Sequence, residues 1–275
     1  MKPVCIVQSK HNARLKQLRR ALALPGRDPR LAGIEGPNLV NEAVRSGLRI
    51  ECVFIAQGEE SRLDGLALSA ETDVLALPPA LLSAALATET PQLIAALVEP
   101  PQWTWDDLLS HPAALIVILA GLQDPGNLGA ILRSAEAFGA CGVIALPGTV
   151  SAWNPKAVRA SAGSAFRVPL IAASTEDAFN HLRRAGVRLL ATAVRAAQLA
   201  PEANLAEAVA LIIGNEGNGI PAALAAQADG AITIPCPGPV ESLNAAVAAG
   251  ILLYEASRQR SVAKTPAYRP ARLAR

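Results

Sequence analysis

Aromatic side chains make up only 3% of this 275-residue chain and methionine occurs once, so its 51% hydrophobic content is largely aliphatic, with alanine supplying much of it. Every apolar run meets a Gly, a Pro or a charge before it is long enough to cross a bilayer, which excludes a helical membrane span and predicts a soluble chain. The N-terminus has no signal-peptide hydrophobic region, and the expected location is the cytosol. Cysteine is sparse: Cys5, Cys52, Cys141 and Cys236 show no CxxC spacing, and His11, His111 and His181 are just as scattered. That dispersal argues against a disulfide framework and against a zinc site, and no metal is expected. Also missing is a GxGxxG turn early in a βαβ unit with an acidic residue about 20 positions on, which disfavours a nicotinamide oxidoreductase on a doubly wound sheet.

The length suits two domains, each large enough to bury its own core. Net charge is only +2 but unevenly spread: residues 1–30 hold eight Lys or Arg against Asp28 alone, residues 256–275 hold six basic residues and no acid, and the middle holds 11 basic and 22 acidic residues. Cationic ends on an acidic body suit a polyanionic partner, since clustered Lys and Arg displace condensed counterions from phosphates. Simple solvation of both ends is the alternative.

Hydrophobic periodicity predicts a helix over 9–23 with Leu15, Leu18 and Leu22 on one stripe, a turn into a short helix over 34–47, a strand at 51–57, a helix near 59–67 and a strand at 73–78. The apolar stretch 91–98 leads into EPPQWTWDDLLSHP (99–112), whose Pro, Trp and Asp interrupt the pattern as a linker would. Beyond it, AALIVILAG (113–121), CGVIALP (141–147), VPLIAA (168–173), RLLATAV (188–194), VALIIG (209–214) and AITIPC (231–236) are the near-continuous apolar runs of strands covered on both faces. With helical patterns between them, they predict a largely parallel sheet for residues 113–260. The expected organisation is a domain over 1–100, a linker over 101–112, a second domain over 113–260 and a basic tail over 261–275.

Three strand-to-helix turns carry the chemistry. In QDPGNLGAILRSAEAFGA, Asp124-Pro125-Gly126-Asn127 is strong turn chemistry, followed by a helix burying Ile131, Leu132, Ala135 and Phe138. Arg133, placed one turn into that helix, opposes the dipole and asks for an anion such as a phosphate; the alternative is an Arg that simply reaches solvent or a nearby carboxylate such as Glu136. GNEGNG (214–219) turns from a strand into IPAALAAQ with Pro221 in the first helical turn. In GPVESLNAAVAAG, Ser242 reads as the N-cap of a long final helix with Leu243, Val247, Ile251 and Tyr254 on one face, and capping leaves Asn244 unexplained.

Together these segments resemble the three signature motifs of the SpoU (TrmH-like) family of RNA ribose 2'-O-methyltransferases, in the SPOUT superfamily. NLGAILR is similar to motif 1, LIIGNEGNGI to motif 2 and IPCPGPVESLNAAVA to motif 3, in that order, and WNPKAVRASAGSAFRVPL (153–170) resembles the family's segment between the first two. SKHNARLKQL, EGPNLVNEAV and TPQLIAALV resemble the ribosomal-protein-L30-like substrate-binding domain of many members, except that Leu93 stands where that domain has Gly. The resemblance implies an α/β fold: a mostly parallel C-terminal sheet with helices on both faces and a deep trefoil knot, preceded by a smaller α/β L30-like domain. It also implies S-adenosylmethionine as cofactor, held with contacts from Thr192, Gly214, Ile234 and Leu243, and a homodimer whose two subunits complete the site. RNA, ribosomal rather than transfer RNA given the extra N-terminal domain, is the implied partner.

The catalytic set carried over by the resemblance is Asn127, Arg133, Glu216, Ser242 and Asn244. Methyl transfer is an in-line displacement, so the enzyme must align a ribose 2'-oxygen and help it lose a proton. A guanidinium stays protonated at any working pH, so Arg133 suits a phosphate clamp that stabilises the developing alkoxide better than a base. Glu216 is then the candidate proton acceptor, or an anion resting near a helix start, while Asn127, Ser242 and Asn244 orient the groups. An RNA-binding module that has lost catalysis is the competing expectation.

Overall fold

The computed structural model describes residues 3–86, 88 and 90–263, so the basic tail from 264 onward lies outside the described residues. The chain divides into two compact units, Met1–Gln102 with Ser151–Phe166, and Trp103–Val150 with Arg167–Arg275.

In the first unit, strands β1 (Cys5–Ile6), β2 (Ala32–Glu35), β3 (Ile50–Ala56), β4 (Asp73–Leu77) and β5 (Ile94–Val98) form a mixed sheet in the order β1-β4-β3-β5-β2. Strand β4 runs parallel to β1 and β3, and β5 runs antiparallel to β3 and β2. Helix α1 (Ala13–Ala23) starts where the Asn12 side chain accepts from Leu15 N at 3.1 Å, and it sends Leu15, Leu18 and Leu22 into the core. Helix α2 (Pro37–Arg45) opens on Pro37, whose missing N–H costs nothing in a first turn, and α3 (Pro79–Ser83) does the same. Two expectations change here. The residues before Gly36 form β2 rather than part of a turn, and the helix near 59–67 is a single 3-10 turn, Glu60–Leu63. Leu93, where the resemblance implies Gly, has φ 56°, the left-handed backbone that glycine adopts freely and leucine adopts at a cost.

The second unit is built on β6 (Leu115–Ala120), β7 (Gly142–Ala145), β8 (Leu170–Ala172), β9 (Arg188–Thr192), β10 (Gln198–Leu199), β11 (Val209–Gly214) and β12 (Gly230–Thr233). These form one sheet in the order β10-β12-β9-β11-β6-β7-β8, parallel at every pairing. All six residues of β6 are buried, as a central parallel strand requires. Six of the strands match the predicted apolar runs; the two-residue edge strand β10 had no such run to announce it.

Residues 101–112, read as a linker, contain a helix instead. Helix α4 (Trp105–Leu109) is closed by a capping box in which the Thr104 hydroxyl accepts from Asp107 N and the Asp107 carboxylate accepts from Thr104 N at 2.7 Å. Its Leu108 is fully buried in the core of the second unit. Gly142 makes that packing possible, because a Cβ there would stand 2.6 Å from Leu108 Cγ and 2.8 Å from the Pro169 carbonyl.

Helix α5 (Pro125–Ala137) follows β6, and α6 (Pro155–Ser161) lies between β7 and β8 in sequence but belongs to the first unit, where it packs against β2. Helix α7 (Thr175–Arg184) precedes β9, and α8 is only Ala222–Ala225 with Pro221 as its N-cap, so IPAALAAQ supplies one turn rather than a full helix. Helix α9 (Ala245–Val262) closes the described chain and buries Ala249, Leu252, Leu253 and Ala256. Its far end is pinned by Arg260, a buried guanidinium that donates to the carbonyls of Leu205 at 3.0 Å, Glu207 at 2.7 Å and Ala113. Burial pushes the Arg260 pKa down, yet the carbonyls offer it the partners a buried cation needs.

Candidate functional site

In a parallel sheet, ligands bind beyond the carboxyl ends of the strands, where strand order reverses. Here that point falls between β6, from which the chain moves outward to β7 and β8, and β11, beyond which β9 and β12 follow on the other side. Four segments leave the sheet at this edge: Gly121–Asp124 after β6, Ala193–Arg195 after β9, Asn215–Ile220 after β11 and Ile234–Asn244 after β12. A pocket of about 800 Å³, within the usual range for small ligands, is lined by residues of the last three.

The turn after β11 depends on Gly214, where an added Cβ would stand 2.4 Å from the Gly219 carbonyl carbon and 2.6 Å from Ile220 N. The backbone can fold back that tightly only without a side chain. Asn215 and Gly219 then exchange backbone hydrogen bonds at 3.0 and 2.9 Å. The Asn215 side chain accepts from Gly217 N and Asn218 N and donates to the Gly121 carbonyl at 2.8 Å, tying the turns after β11 and β6 together.

The closed turn delivers Glu216 to the start of α5. Its carboxylate accepts from Gln123 N at 3.1 Å, Asp124 N at 2.9 Å and Asn127 Nδ2 at 3.0 Å. Asn127 Oδ1 in turn accepts from Asn244 Nδ2 at 3.0 Å, while Asn244 Oδ1 accepts from Ala246 N at 2.9 Å and Val247 N at 3.2 Å. Asn244 is therefore the N-cap of α9, and the expectation that Ser242 caps it is corrected. The amide that capping by Ser242 left unexplained both closes the helix and fixes Asn127.

Burial works to raise the Glu216 pKa, but the hydrogen bonds from Asn127, Asp124, its own backbone and Gln123 outweigh it and hold the carboxyl below its ordinary value. A carboxylate so well supplied with donors takes a proton less readily than a free one, which weakens its case as proton acceptor and favours an orienting role.

Arg133 differs from expectation in position. It is the ninth residue of α5, more than two turns from the Asp124 N-cap, so the dipole argument for an anion does not apply. It is exposed, makes no side-chain hydrogen bond or ion pair among the described residues, and neither lines the pocket nor joins the Asn127–Glu216–Asn244 chain. Glu136, the alternative carboxylate, pairs instead with Arg167 at 2.5 Å. Thr192, Gly214, Ile234, Leu243, Glu216 and Ser242 all line the pocket. Thr192 Oγ1 donates to the Ile212 carbonyl at 2.8 Å, locking the end of β9 to β11.

Residues 234–243 make no hydrogen bond, backbone or side chain, among the described residues, leaving their polar groups open on the pocket wall. Ile213, Ile232, Ile234 and Leu243 offer apolar contact there, with amides, hydroxyls and charges beside them. Among the described residues, no group of three or more His, Cys, Asp or Glu is placed to hold a metal ion, and no helix is long and apolar enough to cross a membrane.

These features define a parallel α/β protein with a pocket at the switch point of its sheet, in a chain whose other unit carries a mixed sheet. Sequence comparison makes the assignment specific: residues 114–254 match the SpoU rRNA Methylase family and residues 34–104 match the RNA 2'-O ribose methyltransferase substrate binding domain. The chain belongs to the SpoU rRNA methylase family. It is 36% identical over 221 residues to the 23S rRNA (guanosine(2553)-2'-O)-methyltransferase RlmP of Bacillus subtilis (strain 168), covering 80% of this chain and 86% of the relative. It is similar in fold to the SpoU methyltransferase AviRb from Streptomyces viridochromogenes in complex with AdoMet, with a TM-score of 0.81 at 30% identity over 91% of this chain and 99% of that one. An AdoMet-bound rRNA methyltransferase from Sinorhizobium meliloti gives a TM-score of 0.78 at 31% identity, over 93% and 98% of the two chains.

Proposed function

We propose that this protein transfers a methyl group from S-adenosylmethionine to a ribose 2'-hydroxyl of ribosomal RNA in the cytosol. The observation that carries the reading is the chain of hydrogen bonds from Glu216 through Asn127 to Asn244, which joins all three family motifs beside a pocket of cofactor size. Thr192, Gly214, Ile234 and Leu243 would hold the cofactor, which supplies an electrophilic methyl carbon when bound.

The chain's own residues supply alignment. Asn127 has one amide hydrogen committed to Glu216 and accepts one bond from Asn244, so a second amide hydrogen and an oxygen lone pair remain for the nucleotide, in a fixed orientation. Ser242, exposed and without a partner among the described residues, offers its hydroxyl to the sugar or the cofactor. Arg133 is the phosphate clamp, and its permanent positive charge stabilises the alkoxide as it forms.

A homodimer completes this arrangement. Val247, Ile251 and Tyr254 expose an apolar face on α9 at 50%, 40% and 56%, and Tyr254 meets Phe138 at the end of α5 edge to face. Such a face on two packed helices suits a second copy, which would bring Arg133 of one subunit to the pocket of the other. The threaded last helix belongs to the same proposal, with α9 packed on both α5 and β11 in support.

The test is transfer of labelled methyl from S-adenosylmethionine to ribosomal RNA, followed by nuclease digestion. The expected product is a 2'-O-methylnucleoside, with Arg133→Ala reducing the rate at least ~100-fold, the scale of one lost transition-state contact. A base-methylated product, or no transfer while the cofactor binds, would overturn the reading; the second outcome would leave an RNA-binding module without catalysis.

A further inference from the structure

Three charged side chains line the pocket, Arg195, Glu216 and Glu241. Glu216 is committed to Gln123, Asp124 and Asn127. Arg195 and Glu241 are exposed and make no hydrogen bond or ion pair among the described residues, not even with each other. Both lie on segments that leave adjacent strands. Arg195 lies on the turn after β9 and Glu241 on the segment after β12, and those strands pair in parallel. Past the ladder, Ala193 N donates to the Ile232 carbonyl at 3.0 Å and Thr233 Oγ1 donates to the Val194 carbonyl at 2.9 Å, so the Arg195 turn is stitched to the strand that leads to Glu241.

A pocket lined by one uncommitted cation and one uncommitted anion, on the segments that leave two paired strands, complements a ligand that carries both charges. The remaining lining is uncharged, with the Asn215 amide already committed to Gly121, Gly217 and Asn218, so Arg195 and Glu241 are the lining charges left to receive an amino-acid end. We propose that Arg195 and Glu241 form a zwitterion clamp, Arg195 receiving the α-carboxylate and Glu241 the α-ammonium of the methionyl end of S-adenosylmethionine. A guanidinium offers two parallel N–H donors that match a carboxylate, and a glutamate accepts from an ammonium without further geometric demand. This rests on the reading of the pocket as the cofactor site.

Titration calorimetry on the full chain tests the clamp with three probes: S-adenosylmethionine, its decarboxylated analogue, and 5'-methylthioadenosine, which lacks the whole amino-acid end. Wild type is expected to bind S-adenosylmethionine about tenfold more tightly than the decarboxylated analogue, the scale of one charge-assisted pair. Arg195→Gln should remove that preference by weakening S-adenosylmethionine about tenfold while leaving the decarboxylated analogue unchanged. Glu241→Gln should weaken both amine-bearing probes alike, by about tenfold on the same scale. Neither variant should alter 5'-methylthioadenosine binding, which also reports that the pocket is folded. Equal weakening of all three probes by Arg195→Gln, or no change in any, would overturn the clamp. Wild type that bound none of the three would overturn the pocket's assignment as the cofactor site, and the clamp with it.

Discussion

Asn244 performs two tasks with one side chain, and substitution can separate them. Asn244→Asp keeps the oxygen that caps α9 but removes the N–H donated to Asn127. Stability should stay within ~0.5 kcal/mol of wild type while methyl transfer falls by ~10-fold or more, because Asn127 is no longer held. Asn244→Ala should lose the cap as well, at about 1 kcal/mol in thermal denaturation. Glu216 gives a pH dependence of definite sign. Its pKa in the folded protein lies below the unfolded value near ~4.3, so its stabilising contribution is complete above that unfolded value and is lost as pH falls through the lower, folded one. Denaturation of wild type and Glu216→Gln should therefore differ by a constant amount from about pH 8 to pH 5 and converge under more acid conditions. If Glu216 were the working base, the rate of transfer would fall as pH drops through that same lowered pKa, in acid rather than near neutrality.

At the scale of elements, helix ends set the tractable energies. Ala162, exposed at the C-cap of α6, has φ 50° in the left-handed region that glycine enters without strain. Ala162→Gly should raise stability by up to about 1 kcal/mol, measured by urea denaturation. Leu93 has the same backbone strain but is half-buried against the first core, so replacing it with glycine would exchange strain relief for lost packing. The parallel strands were legible in the sequence because each is a buried apolar run, whereas β2 was not: Ala32–Glu35 is short and runs straight into turn residues. Ser242 and Asn244 are both good caps, and local chemistry does not choose between them. The choice is made by Asn127, 117 residues away in the chain. The same distance explains why the motifs yielded the identities of Asn127, Glu216 and Asn244 but not their bonding, and why Glu216 read as a base until its donors were known. For Arg133, one turn of helix was misjudged at the start of α5, and with it the local electrostatic argument.

Across the second unit, Arg260 joins what sequence separates, connecting α9 to the carbonyls beside the starts of β6 and β11. Arg260→Met keeps most of the buried volume but leaves those acceptors without a donor, so it should cost about 3 kcal/mol or more in equilibrium denaturation. Gln259 reinforces the joint by accepting from Leu205 N at 2.8 Å and donating to the Ala203 carbonyl at 3.0 Å. With that fulcrum fixed at the bottom of the sheet, the far end of α9 is tied at both Gln259 and Arg260, whereas among the described residues the pocket wall from 234 to 243 draws no hydrogen bond from the fold and owes its course to the strand before it and the Asn244 cap after it.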